Sequence, residues 1–299
     1  MPTHNRSELL KRHLGALLSQ TYPRECTEVI VVCDGCSDDS AGVAREAGAD
    51  QVIEKEGGGA ASARNAGLAA STSQVVLFID DDVIPDPGWI WALLGDIKAG
   101  ESKVLHMGYC PHAPEGIHTH LDRRNAAWYE GKIEVLSEPG YELRFTDFFS
   151  GNFGVNRDEF RTLGGFDERF RLAEDFEMAF RGLQAGWRIR FVPNARAEHH
   201  AHRDHHAYGA QAFDAGRADA QFVRLHPSVA AHVRIGIRRR FPKRVAGVVW
   251  RAIALRTPAG VRFVEALAPI AERIKARALL DVIYPLLWDG QYWRGVAAA

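Results

Sequence analysis

Cysteine is scarce in this 299-residue sequence: only Cys26, Cys33, Cys36 and Cys110 are present. Four, unevenly spaced, cannot make the disulfide framework of a small secreted scaffold. Cys33-Asp34-Gly35-Cys36 has CxxC spacing, but structural zinc needs a second ligand pair and a redox thiol needs a helix N-terminus. A pair bracketing Asp-Gly at a strand end supplies neither. No apolar run reaches the roughly 18 residues that a membrane-spanning helix requires. There are no internal repeats and no low-complexity tracts, so disorder and fibrous architectures are excluded. Neither sign of charge dominates, with 37 Lys and Arg against 38 Asp and Glu. The opening Met1-Pro2-Thr3-His4-Asn5 is polar and lacks the apolar core of a secretory leader. A reduced, cytoplasmic protein is expected, and a nucleic-acid partner is not.

What is present is a concentration of carboxylates. Val75 to Ile79 form a continuous apolar run, as a central strand buried on both faces would. Asp80, Asp81 and Asp82 follow at its C-terminal edge, where open α/β sheets place their ligands. Three adjacent carboxylates repel one another unless a cation shares the site. Hard divalent ions such as Mg²⁺ or Mn²⁺ suit such an oxygen-rich place.

Around that strand the first hundred residues alternate strand and helix. Leu10, Leu14, Leu17 and Leu18 repeat at helical spacing after Ser7. Glu28–Cys33 reads as a buried strand, Ser40–Ala47 as a helix, and residues 51–54 as a short strand. Gly57-Gly58-Gly59 opens an Ala-rich helix over Ala60–Ala70; these glycines suit a phosphate-cradling loop or a flexible helix entry equally. Such alternation implies an α/β fold with a largely parallel sheet and right-handed crossovers. A strand is expected just before Thr3, yet the sequence begins there; either the fold tolerates the loss of that strand or, the reading favoured here, the start lies upstream.

Five segments fall in a characteristic order: Pro2-Thr3-His4-Asn5-Arg6; Val31 to Ser40 with Asp34; Ala63-Arg64-Asn65-Ala66-Gly67; Phe78 to Asp82; and Leu163 to Glu168 followed by Glu174-Asp175-Phe176-Glu177. Together they closely resemble the family 2 glycosyltransferases with the GT-A fold, over roughly residues 2–205. The resemblance implies a Rossmann-like, mixed but mainly parallel sheet flanked by helices. It implies a catalytic domain over 1–205, with a nucleotide-sugar half to about residue 100 and an acceptor half from 101. The implied activity is transfer of a sugar from a nucleoside-diphosphate sugar, a UDP-sugar ahead of GDP- or dTDP-sugars, to an unknown acceptor hydroxyl. Cell-surface polysaccharide, glycolipid and glycosylated-metabolite synthesis all suit it.

By that resemblance Thr3, Asn5, Arg6, Asp34, Arg64, Asp80 and Asp81 would bind the nucleotide sugar. Asp34 would accept hydrogen bonds from the base, and Arg64 would reach the diphosphate as a permanent cation. Asp82 would bind Mn²⁺ or Mg²⁺ directly, helped by a histidine after Pro193-Asn194-Ala195-Arg196-Ala197-Glu198. His199 fits that spacing, with His200 as runner-up; His202, His205 and His206 read as exposed loop histidines. Asp175 would be the general base of an inverting transfer, with Asn152, Gly165 and Glu174 around the donor sugar and acceptor. The cation would assist the departing diphosphate as a Lewis acid.

Two other functions remain to be weighed. A sugar-1-phosphate nucleotidyltransferase has a related sheet but carries a Gly-rich basic loop after the first strand, where this chain reads Thr3-His4-Asn5-Arg6. A non-catalytic sugar-nucleotide-binding protein has no need of Asp80, Asp82, Asp175 and His199 together. The last stretch, 206–299, is expected to be a basic helical region. Residues 234–277 hold twelve Lys and Arg but only Glu265 and Glu272 as acids. That pattern suits peripheral contact with the inner face of a membrane or a packed appendage with exposed arginines. Trp288, Tyr292 and Trp293 suit either an acceptor cleft or the core.

Overall fold

The computed structural model describes residues 1–97, 101–200, 204–235 and 257–299. The chain divides into two compact units, Met1–Gly116 with Ala126–Ala201, and Ile117–Asn125 with His202–Ala299. The second unit thus takes in 117–125 as well as the C-terminal stretch from 202. Residues 236–256, within the basic stretch 234–277, lie outside the described residues, including Trp250, Ile253 and Leu255. His202 does too.

The first unit is mixed α/β. Strands β1 (Pro2–Thr3), β2 (Ile30–Asp34) and β3 (Gln51–Lys55) form a parallel sheet, with Pro2 opposite Val32 and Ile30 opposite Gln51. Every residue of β2 is buried, as its apolar run dictates. Helices α1 (Ser7–Leu18), α2 (Ser40–Ala47) and α3 (Ala60–Ala70) supply the crossovers at the expected places. On α1, Leu10 and Leu14 are wholly buried against Val29, Val31 and Cys33. Each such leucine contributes about 1.5–3 kcal/mol of burial.

A second sheet has the order β4-β7-β6-β8-β5. Its strands are β4 (Val75–Ile79), β5 (Val83–Pro85), β6 (Val104–Tyr109), β7 (Asn152–Asn156) and β8 (Arg188–His199). Strand β6 runs parallel to β8, while the β4–β7, β6–β7 and β5–β8 pairs are antiparallel. Phe78 stacks on Phe153 at 4.6 Å, and Phe160 and Phe166 meet both rings edge-on. This aromatic cluster fixes the strand that carries the three aspartates.

Two details differ from the sequence expectation. The first strand is not lost: Pro2 and Thr3 pair with β2, although the strand is only two residues long. Strand β4 is not buried throughout, because Val75, Val76 and Leu77 are only half-buried. They line a cavity of about 300 Å³ together with Met1, Ile30, Val32, Ala63 and Gly67. So short a β1 leaves the space between β2 and β4 unfilled along most of its length.

Helices α4 (Trp89–Asp96), α6 (Arg157–Leu163) and α7 (Glu174–Gln184) complete the first unit; α5 (His120–Leu136) begins in the second unit and continues into the first. The second unit is helical, as expected, with α8 (His205–Leu225), α9 (Pro258–Arg273) and α10 (Arg277–Ala297). Helices α8 and α10 meet backbone to backbone at Gly216 and Gly295, where an added Cβ would collide with a carbonyl of the facing helix. Tyr292 is buried there, its hydroxyl donating to Asp219, and Trp288 packs on the apolar core. His205 and His206 start α8, and His206 pairs with Glu265.

Candidate functional site

The C-terminal end of β4 brings the acids of the first unit together, and Arg64 organises them. Its guanidinium is buried on α3 and donates to Asp80 Oδ1 at 2.6 Å and to Glu174 Oε1 at 2.8 Å. Burial opposes this charge, but Asp80 and Glu174 outweigh it and hold the arginine more firmly protonated than usual. The fork of a guanidinium suits two carboxylates in this way, which one ammonium could not match. Gly151 lies against the Asp80 carboxylate, and a Cβ there would come within 2.8 Å of Oδ2.

Asp175 follows Glu174 at the start of α7. The residue before them, Ala173, has φ 63°, a left-handed conformation that costs a non-glycine residue about 1–3 kcal/mol. Arg181, held by Glu177, donates to the carbonyls of Leu163 and Gly165 and so ties α7 to the preceding turn. Asn65 clamps that turn from α3 by bonding Phe166 N and O. Gly165, at φ 62°, leaves room for it. Asp175 Oδ1 accepts from its neighbour's amide, Phe176 N, at 2.8 Å. Burial first, then the adjacent Glu174 carboxylate, pushes the Asp175 carboxyl up to about 7.

At the other side of the strand end, Asp82 Oδ1 and His199 Nε2 lie 3.5 Å apart. Antiparallel pairing of β5 with β8 sets Val83 opposite His199 and creates this juxtaposition. A carboxylate and an imidazole so spaced fit two positions in the shell of one hard or borderline divalent cation. Arg6 Nη1 is 3.3 Å from Asp82 Oδ2. Asp81 turns inward: Thr3 donates to it at 2.7 Å, and burial raises its carboxyl to about 6. His200 meets Asp82 through the backbone, its amide donating to Asp82 O at 2.7 Å. Its donors gather with Glu115 and Glu198, within 4.8 Å of one another. Both glutamates are already paired with arginines, Arg12 and Arg196.

The base-binding candidate Asp34 ends β2. It accepts from Lys55 Nζ at 2.9 Å and from the amides of Gly58 and Gly59. Burial works against its charge, but Lys55 and the two amides outweigh it, so the carboxyl titrates below the usual range. The triple-glycine loop is therefore wrapped on Asp34. Asn5, in the left-handed region at φ 53°, accepts from the amides of Ser37 and Asp38. Burial and the neighbouring Cys36 raise the Cys33 thiol to about 12, which leaves Cys33 without a reactive thiolate.

Asn152 is placed differently from its expected role beside the sugar. It donates to Tyr109 O and Ala195 O and accepts from Trp89 Nε1, all inside the sheet. Lys132 was not anticipated. It lies 4.3 Å from the centre of the Phe149 ring and donates to Thr146 O at 2.8 Å. Burial lowers its ammonium to about 8, against the pull of Asp147 and Asp175. Nothing in the spacing around Lys132 marks it, because its neighbours come from a distant loop and from α7.

Comparison with known proteins adds relatives to this geometry. The family described as "Glycosyl transferase family 2" matches residues 1–164, and "N-terminal domain of galactosyltransferase" matches 133–206. The chain is 31% identical over 245 residues to a pre-mycofactocin glycosyltransferase of Mycobacterium tuberculosis, covering 77% of this chain and 48% of that protein. It is 28% identical to a validoxylamine A glucosyltransferase of Streptomyces hygroscopicus, over 60% of this chain and 50% of that one. This chain thus spans about half the length of such relatives. Among solved structures, a mannosyltransferase of Pyrobaculum calidifontis in complex with GDP-Man and Mn²⁺ superposes with a TM-score of 0.65 at 17% identity, covering 98% of this chain and 85% of that one. TarS 1–349 of S. aureus in complex with UDP gives 0.54 at 16% identity, covering 99% and 89%.

Proposed function

The chain belongs to glycosyl transferase family 2 and has the GT-A fold, and from that premise we propose that its first unit transfers a sugar from a nucleoside-diphosphate sugar to an acceptor hydroxyl with inversion. One observation carries the proposal: Arg64 ties Asp80, at the end of the acidic strand, to Glu174, beside Asp175. The groups suited to a metal diphosphate and the group suited to a base are thereby held at one place. Because Glu174 is committed to Arg64, Asp175 is the acid of the pair left for proton transfer. A carboxyl raised to about 7 suits a general base at neutral pH.

In this reading Asp82 and His199 hold Mn²⁺ or Mg²⁺, and Asp80 and Arg64 face the donor. Thr3, Asn5 and Arg6 shape the nucleotide side, and Asp81 supports the strand end from within. Asp34, on its glycine loop, meets the base. When bound, the cation supplies Lewis-acid assistance to the diphosphate leaving group. Asp175 takes the proton of the acceptor hydroxyl as that oxygen attacks the anomeric carbon from the face opposite the nucleotide. One displacement with one base inverts the configuration. Gly165 positions α7 through its turn, and Asn152 holds the floor of the sheet. The GDP-Man, Mn²⁺ and UDP named with the two structural neighbours support a nucleotide-sugar donor and a divalent ion. A UDP-sugar is the donor we favour.

The test is a screen of UDP-, GDP- and dTDP-sugars for Mn²⁺-dependent hydrolysis, followed by the anomeric configuration of the transfer product. Asp82→Ala is expected to abolish Mn²⁺-dependent nucleotide binding while the fold persists. A folded Asp82→Ala protein with unchanged affinity removes Asp82 from the site, and a retained product rules out the single displacement.

A further inference from the structure

The second unit carries an apolar ridge that its own core does not use. Helix α9 buries Val261, Val264, Ala268 and Ala271 against Leu280, Ile283, Tyr284 and Leu287. That accounts for one face. On another, Phe263 is 65% exposed, Ile270 57% and Ile274 66%. At 100° per residue these three fall within about 40° of arc, so they form one line along the helix and just past its end. Soluble surfaces seldom align three large apolar side chains in this way.

The charges beside the ridge are of one sign. Arg262 and Arg273 flank it on α9, and Lys275 and Arg277 occupy the junction with α10; all four are exposed. Among the described residues none of the four makes an ion pair. The two acids of α9 are engaged away from them. Glu265 pairs with His206, and Glu272 accepts from the His120 amide and the Tyr284 hydroxyl. An amphipathic helix with large apolar side chains in line and unneutralised cations at their edge matches the interface of an anionic bilayer. A soluble partner of mixed charge would leave the excess cations unmatched.

We propose that the Phe263–Ile270–Ile274 ridge of α9 docks the protein on an anionic lipid surface, its side chains entering the acyl boundary while Arg262, Arg273, Lys275 and Arg277 meet lipid phosphates. The proposal uses second-unit residues alone and stands apart from the transferase chemistry. The experiment is co-sedimentation of the full chain with vesicles of phosphatidylcholine, with and without phosphatidylglycerol. The protein is expected to pellet with the anionic vesicles only, and less as salt rises. The triple substitution Phe263→Ser, Ile270→Ser, Ile274→Ser should weaken partitioning by about tenfold or more. Charge reversal at Arg262, Arg273, Lys275 and Arg277 should do the same. Far-UV circular dichroism and Mn²⁺-dependent nucleotide binding should be unchanged in both variants. Failure of the wild-type chain to bind anionic vesicles at low salt overturns the proposal. So does equal binding by the triple variant. A dimer that the serine variant disperses, without vesicle binding, assigns the ridge to a second copy and also overturns it.

Discussion

At the residue scale the most consequential feature is that one arginine serves two carboxylates. Glu174 Oε1 and Arg64 Nη1 meet across 110 residues of sequence. Removing the guanidinium leaves the buried Glu174 and the partly exposed Asp80 without their shared cation. Arg64→Met should therefore destabilise the fold by about 3 kcal/mol, read from urea denaturation. Arg64→Lys should recover only part of that, because one ammonium cannot reproduce both bonds. Asp175 leads to a different pair of outcomes. As general base it should matter for turnover, so Asp175→Asn should lower the rate by about 10²–10⁴-fold with nucleotide affinity near wild type. A variant within threefold of wild-type turnover, measured under saturating donor, excludes that role. Its titration also has a stability consequence. The folded carboxyl is raised to about 7 against an ordinary value of 3.8, so the folded state holds the extra proton between those limits. Its contribution is present at low pH and is lost as pH rises through about 7. The Asn variant should thus gain in melting temperature relative to wild type as pH rises from about 4 to about 7, the window set by these two values. A constant difference across that range contradicts the assigned titration.

At the element scale the short β1 leaves a visible mark. Met1 donates from its terminal amine to Ile30 O at 2.9 Å, inside the cavity between β2 and β4. Burial, with Asp80 opposing, lowers that amine from 8.0 to about 6. The unfolded chain then binds the proton more readily over this window, so stability falls as pH drops from 8 to 6. Four apolar residues added before Met1 would continue the strand alongside Ile30 and replace the buried amine with a peptide bond. The extended chain should melt higher, and its advantage should be larger at pH 6 than at pH 8. Equal melting curves for the two chains would show that the cavity does not admit a strand. The same scale explains why much of the fold was legible. Strand β2 and helices α1, α2 and α3 form where local apolar periodicity and turn residues put them. The half-burial of β4 was not legible, because a strand's own residues do not state how long its neighbour is.

At the scale of the whole molecule, nucleotide and metal binding should register as stability. UDP with Mn²⁺ at about 100 times its dissociation constant should add about 2.7 kcal/mol, and chelation should remove it. A melting temperature indifferent to both ligands contradicts the proposed site. The ordered motifs pointed to glycosyl transferase family 2 before any coordinates, because each motif is a short run whose residue types must stay adjacent to work. Asp80, Asp81 and Asp82 at a strand end, and Glu174-Asp175 at a helix start, are facts of local sequence. Their relation to each other is not. Only the tertiary structure brings Asp80 and Glu174 onto Arg64, turns Asn152 into the sheet, places Lys132 near Asp175 and assigns 117–125 to the helical unit. It also sets the His199 imidazole against Asp82 and the His200 imidazole against Glu115. The physical reason is the same in each case: adjacent residues share one backbone geometry, whereas these contacts depend on which distant element packs against which.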